Sequence, residues 1–316
     1  MTQNNTHNQH FVPVCYLKNF SPIEEQNKKN PKVWVYDKLS KSSNLVGVKS
    51  ICYCEKLYSI NSQSESIITN DIKDKETIFE SHYLHDFEQV YSERLKDAIA
   101  SIKQRKFGGE NKMDISLFIA IQYLRDPIIK YLLDANEKIP YLALPNEYKL
   151  LSNKSPELLE DSSMRHFMHA YGNKDAIKIL TRSLATSVWT IHYNPNDVFY
   201  TSDNPVCLAQ DKPSNQSNSD KKGKTLHIVF PISKNILLQI TQGVQINEIY
   251  YIDNTPQWQI DNFNFIQAHF AKKYVISATN SFSTIKDRME TDPIIWDKNK
   301  LKIYGQTKYA DHKHGG

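Results

Sequence analysis

Residues 115–131 read ISLFIAIQYLRDPIIKY, a run of mostly apolar side chains interrupted by one amide and one arginine. At helical spacing Ile115, Phe118, Ile119, Gln122 and Arg125 share one side, while Leu117, Ile121, Leu124 and Ile128 share another. A helix that is apolar nearly all round is a buried helix. Gln122 and Arg125 are therefore expected inside the protein, where an unpaired guanidinium costs several kcal/mol and must find an acceptor. Asp114 is the expected N-cap of this helix. Pro127, with no N–H and a ring that crowds the preceding turn, is the expected end or kink.

Composition sets the class. A chain of 316 residues, 40% hydrophobic and 11% aromatic, can bury a sizeable core. A mean hydropathy of −0.57 and the lack of any apolar run of membrane-spanning length argue against a transmembrane helix. The start, MTQNNTHNQH, has neither the basic flank nor the apolar stretch of an export signal, so a cytoplasmic location is expected. Four cysteines, Cys15, Cys52, Cys54 and Cys207, lack zinc-ribbon spacing and are expected to be free thiols. The net charge of +4 permits nucleic-acid binding without demanding it. No P-loop, dinucleotide loop, G-x-S-x-G, H-E-x-x-H or EF-hand pattern occurs.

Outward from the central run, the chain reads as strands, then helices, then strands. Residues 32–38 (KVWVYDK) and 45–53 have strand composition, with 57–60 a short third strand, and the three are expected to form a meander. Residues 74–106 follow a helical period through Leu84, Phe87, Tyr91, Leu95, Ala98 and Ile102, closed by Gly108 and Gly109. Residues 140–154 read as irregular and 155–158 as the start of a short helix. Residues 175–186 form an amphipathic helix. Strands are expected over 187–193, 199–201, 206–208, 226–231, 235–240 and 274–278, a polar loop over 211–224, and a last long helix over 257–273. The expected architecture is a single α+β domain over residues 1–306. Its buried central helix and further helices pack on a mixed or antiparallel sheet, and a flexible tail spans 307–316.

Polar residues in apolar settings are the candidate site. His10 precedes an apolar segment, with Gln9 beside it; Glu88 lies on the long helix; Asp203 stands at the break Ser202-Asp203-Asn204-Pro205 between two strand pieces. Glu88 and Asp203 are the two acceptors on offer to Arg125, and Asp203 is preferred because a strand break frees it from the ladder. A local Asx turn is the competing reading of Asp203. The pairs His82/His85 and His166/His169 have the i, i+3 spacing of metal ligands but lack a third partner, and read as surface histidines. Lys-rich stretches at 103–106 and 221–224 suit nucleic acid but are more simply solvated charge.

The segments NQHFVPVCYLKNF (8–20), ICYCEKLY (51–58), QYLRDP (122–127), TSDNP (201–205) and IVFPIS (228–233), with the W-V-Y-D-K strand, Glu80 and Glu88, resemble a bacterial domain-of-unknown-function family, number 4238. Its H-x-V-P, Q-x-x-R and S-D-x-P elements map onto His10 with Val12 and Pro13, Gln122 with Arg125, and Ser202 with Asp203 and Pro205. The resemblance implies that these segments belong together; it implies no reaction. The residue types suit a phosphodiesterase or nuclease-like hydrolase acting on nucleic acid or a nucleotide. In it His10, Asp203, Glu88 and Arg125 would be catalytic, Gln9, Gln122, Ser202 and Asn204 would bind substrate, and a divalent metal is admitted as cofactor. The alternatives are a non-catalytic regulatory protein that holds an anionic small ligand, and a purely structural polar network.

Overall fold

A computed structural model describes residues 8–55, 57, 85–127, 174–210, 226–241 and 247–291. Several expectations fall outside these residues: the third strand beyond Leu57, the helix start over 74–84 with Glu80 and His82, the irregular stretch 140–154, the helix over 155–158, His166, His169, the loop over 211–224, and the tail and domain limit near 306.

The described residues form six helices and three sheets in one α+β arrangement. In chain order the elements are β1 (Asn8–His10), α1 (Val14–Leu17), β2 (Lys32–Asp37), β3 (Ser42–Gly47), β4 (Tyr53–Glu55), α2 (His85–Lys103), α3 (Gly109–Leu124), α4 (Lys174–Ala185), β5 (Val188–Tyr193), β6 (Thr201–Ser202), β7 (Cys207–Gln210), β8 (Leu226–Ser233), β9 (Ile236–Thr241), β10 (Ile249–Asp253), α5 (Gln257–Phe270), β11 (Tyr274–Ser277) and α6 (Ser283–Thr291). A five-stranded sheet has the order β10-β5-β9-β8-β7, antiparallel except for the β10/β5 pair; a four-stranded antiparallel sheet has the order β3-β2-β11-β6; β1 and β4 pair alone.

The expected meander is thus corrected. β2 and β3 do pair, but the strand read over 45–53 stops at Gly47, passes through a 3-10 turn, and resumes as β4, which takes β1 as its partner. The reversal into β4 runs through Cys52, a non-glycine residue at φ 56°, whose carbonyl accepts the Phe11 N–H at 3.0 Å. Tertiary contact with the N-terminal segment, not local periodicity, ends the strand.

The central helix α3 is buried along most of its length, as its apolar surround requires, and packs against α2 and α4. It begins at Gly109 with Gly108 as N-cap, not at Asp114. Asp114 sits inside the helix because its carboxylate pairs with Arg94 of α2, an option invisible in the local sequence. The helix ends at Leu124, with Arg125 as C-cap two residues before Pro127. Tyr16 of α1 stacks on Phe118 of α3 and Phe230 of β8, and its buried hydroxyl donates to the Pro231 carbonyl at 2.6 Å, so α1 is wedged between helix and sheet.

Helix α5 packs Ile260 and Phe263 against Phe199, Val229 and Leu237 of the five-stranded side. Its Ala268 meets Tyr36, Val275 and Phe282 of the four-stranded side. The expected helix over 257–273 stops at Phe270, with Ala271 extended at ψ 134°. The buried Lys38 ammonium takes the Ala268 and Ala271 carbonyls at 2.8 and 2.6 Å, a cation on a helix C-terminus. The edge strand β10 and the helix α6 carry no strong periodicity and were not expected from sequence.

Candidate functional site: a buried polar seam and a lysine-lined cleft

The polar seam begins where α3 ends. Gln122 Nε2 donates to the Phe11 carbonyl at 3.0 Å, and Arg125 Nη2 donates to the His10 carbonyl, so the end of α3 grips the backbone of the N-terminal segment. Arg125 is 0% exposed. His10 is half-buried, and its Nε2–H donates to the Lys49 carbonyl at 3.2 Å. Burial, helped by the Arg125 charge, holds the imidazole down to about 4 against that hydrogen bond, so it is neutral at pH 7. Cys15, one turn further on, is pushed up to about 12 by burial and then by the Glu88 carboxylate, with Arg125 pulling the other way. Glu88, His10 and Arg125 therefore lie around one end of the N-terminal segment. Gln9 is buried beside it in β1, paired with Cys54.

Asp203 lies elsewhere, and this overturns both readings of it. It is 1% exposed, and its oxygens accept the backbone N–H groups of Lys272 (2.8 Å), Lys273 (2.7 Å) and Tyr274 (3.1 Å). It forms neither a pair with Arg125 nor an Asx turn. In a continued helix α5 those three N–H groups would bond the carbonyls of residues 268–270; Asp203 captures them instead and turns the chain into β11. Burial pushes the Asp203 carboxyl upward, while the three N–H groups and the Lys38 charge oppose this. Ser202 Oγ accepts the Asn204 N–H at 3.2 Å and lies 3.1 Å from Gln267 Oε1. Asn204 Nδ2 donates to the Phe270 carbonyl at 3.3 Å. The whole Ser-Asp-Asn-Pro break thus holds the corner between α5 and β11.

Lys272 joins the two halves. Its N–H is one of the three held by Asp203, and its ammonium pairs with Asp126, the residue after Arg125. Lys272 is 3% exposed, and burial pulls its pKa down to about 7, opposed by the neighbouring thiols of Cys54 and Cys52. Its charge stands 5.8 Å from the Phe11 ring. No local feature of the sequence marks Lys272, which looks like the first of an ordinary Lys-Lys pair at a helix end. Among the described residues no three His, Cys, Asp or Glu side chains gather as a metal site.

A separate cleft of about 490 Å³ opens between α1, α2 and the β8–β9 turn. Among the described residues four lysines line it, Lys18, Lys96, Lys103 and Lys234, and no carboxylate does. Lys96, Ile99 and Lys103 recur at three and four residues on one face of α2. Lys234 is buried and neutralised by Asp197 at 2.8 Å, and also donates to the Ser21 carbonyl at 3.0 Å. Lys18, Lys96 and Lys103 are exposed and have no ion pair among the described residues. The buried Asn19 Nδ2 at the cleft has no hydrogen-bond partner among them either. Of these, Lys103 falls in the Lys-rich stretch at 103–106, Lys18 and Asn19 in the family-like segment 8–20 and Lys96 on the expected long helix, but none was a candidate site residue. The heptad spacing of Lys96 and Lys103 was the available signal.

No curated protein and no solved structure matches the chain. Among the described residues no helix is long and apolar enough to cross a membrane. The sequence matches the family described as Protein of unknown function (DUF4238) over residues 8–281, a span that takes in the N-terminal segment, the Arg125 turn, the Asp203 corner and the cleft, and the chain belongs to that family.

Proposed function

We propose that this protein binds phosphate-bearing anions in the lysine-lined cleft, and that the polar seam is the frame that keeps the cleft's walls in register. The observation that carries this reading is the lining itself: four ammonium groups, three of them without an ion-pair partner among the described residues, and no acidic side chain among those residues. Such a site focuses positive potential, and lysines act there as point charges for phosphate oxygens. The frame follows from connectivity. Helix α1 and the 3-10 turn after it, which supply Cys15, Lys18 and Asn19, follow directly on the segment that Gln122 and Arg125 grip. The facing turn is tied back by the Lys234 N–H to the Asn19 carbonyl at 3.2 Å. In this reading the chain is a non-catalytic, regulatory binder of an anionic small ligand.

The test is calorimetric titration of the full chain with inorganic tripolyphosphate at low salt. Saturable binding that weakens with added salt and in Lys96→Ala and Lys103→Ala supports the reading. No saturable heat, or binding indifferent to both variants, sinks it.

A second reading, phosphodiester hydrolysis of nucleic acid or a nucleotide, is favoured by the state of His10. Its Nε2–H is committed to Lys49, so the neutral ring offers the Nδ1 lone pair as a base, with Glu88 and Arg125 nearby. Turnover of single-stranded DNA or RNA, assayed with and without added magnesium and abolished in His10→Ala, would establish it. Tripolyphosphate binding without any turnover leaves the first reading standing alone.

A further inference from the structure

We infer that the cleft takes a single nucleotide carrying two or three phosphates, rather than inorganic polyphosphate or a nucleic-acid strand; this rests on the anion-binding reading above. Charge sets the phosphate count. Lys234 is already compensated by Asp197, which leaves the ammonium groups of Lys18, Lys96 and Lys103 for the ligand. A monophosphate, with about two charges near neutral pH, undersupplies three cations; a di- or triphosphate matches them.

The rest of the lining is wrong for a purely ionic ligand. Ile99 and the adjacent Ala100 present apolar surface between the two lysines of α2. Asn19 Nδ2 is a buried donor without an acceptor, and a buried donor of that kind costs about 1–3 kcal/mol unless something supplies the acceptor. Across the cleft, Asn235 has spent its amide nitrogen on the carbonyls of Asn194, Pro195 and Asn196, which leaves Oδ1 as an acceptor. One donor, one acceptor and an aliphatic surface are what the edge and face of a nucleobase require. The volume of about 490 Å³ falls in the range of pockets that enclose one small organic ligand, about 300–1,000 Å³. A strand of nucleic acid would instead need a groove that continues past the site.

The experiment is calorimetric titration of the full chain with adenosine and guanosine triphosphates and diphosphates, adenosine monophosphate, inorganic tripolyphosphate and a single-stranded oligonucleotide. At least one nucleoside tri- or diphosphate is expected to bind at least about tenfold more tightly than the monophosphate and tripolyphosphate, a difference readily resolved. Asn19→Ala is expected to erase the advantage over tripolyphosphate while leaving tripolyphosphate binding unchanged. Lys96→Ala and Lys103→Ala, both at exposed positions, are expected to weaken both ligands. Equal binding of tripolyphosphate and nucleotides overturns the inference but leaves the anion reading intact, whereas tight binding of the oligonucleotide alone overturns both. Absence of binding by every anion, or binding unaffected by the lysine variants, overturns both.

Discussion

The ammonium of Lys272 pairs with Asp126 while the backbone N–H of the same lysine is held by Asp203, so one buried residue fastens the end of the central helix to the corner between α5 and β11. Neither group is exposed enough for water to replace its partner. This arrangement gives the seam its mechanical sense: the Gln122–Pro127 and Thr201–Pro205 segments are bolted to one another through a residue that neither contains.

Removing the bolt should be costly. Lys272→Met takes the ammonium away from the buried Asp126 carboxylate and is expected to destabilise the fold by about 3–5 kcal/mol. Adding Asp126→Asn should recover part of that loss, since the buried negative charge goes with it. Urea unfolding of the two single variants and the double variant measures the coupling; strictly additive effects would show that the pair is not formed.

Asp203→Asn keeps the shape of the side chain but turns an acceptor oxygen into an N–H₂ group facing backbone N–H donors. A loss of about 2–3 kcal/mol is expected, with Asp203→Ala at least as severe. Hydrogen exchange should speed up most at Lys272, Lys273 and Tyr274, whose amides the carboxylate protects. Unchanged protection there would contradict the clamp.

Gln122→Leu preserves volume and apolar packing in α3 but removes the Gln122 donor from the Phe11 carbonyl. A cost of about 1–3 kcal/mol is expected. Limited proteolysis should then cut sooner near the N-terminal segment than in the parent protein, and an unchanged cleavage pattern would count against the grip.

His10 makes stability depend on acid. Its folded value near 4 lies below the unfolded 6.5, so between these limits the unfolded chain binds the extra proton. The contribution is complete above pH 6.5 and is lost as pH falls towards 4. His192, also lowered by burial, adds a slope of the same sign. The decisive comparison is therefore the parent against His10→Gln, whose unfolding midpoint should fall less steeply over that window; parallel curves would remove His10 from the account.

Much of the framework was legible because it follows from local pattern. The apolar surround of residues 115–124 required burial, and α3 is buried; the period through Tyr91, Leu95, Ala98 and Ile102 required a helix, and these four side chains are in the core. The burial of Arg125 and Asp203, and the α+β class itself, were readable for the same reason: hydrophobic periodicity is a property of neighbours in sequence. The partners were not. Arg125 was expected to meet Asp203, but it donates to the His10 carbonyl, and Asp203 binds three backbone amides, two of which local propensity had assigned to a longer helix. Backbone groups are identical at every residue, so no side-chain pattern announces which of them will be an acceptor or a donor. The cleft depends on the same kind of fact. Lysines from the turn after α1, from α2 and from the β8–β9 turn are far apart along the chain, and only the packing of those elements concentrates their charge around one opening.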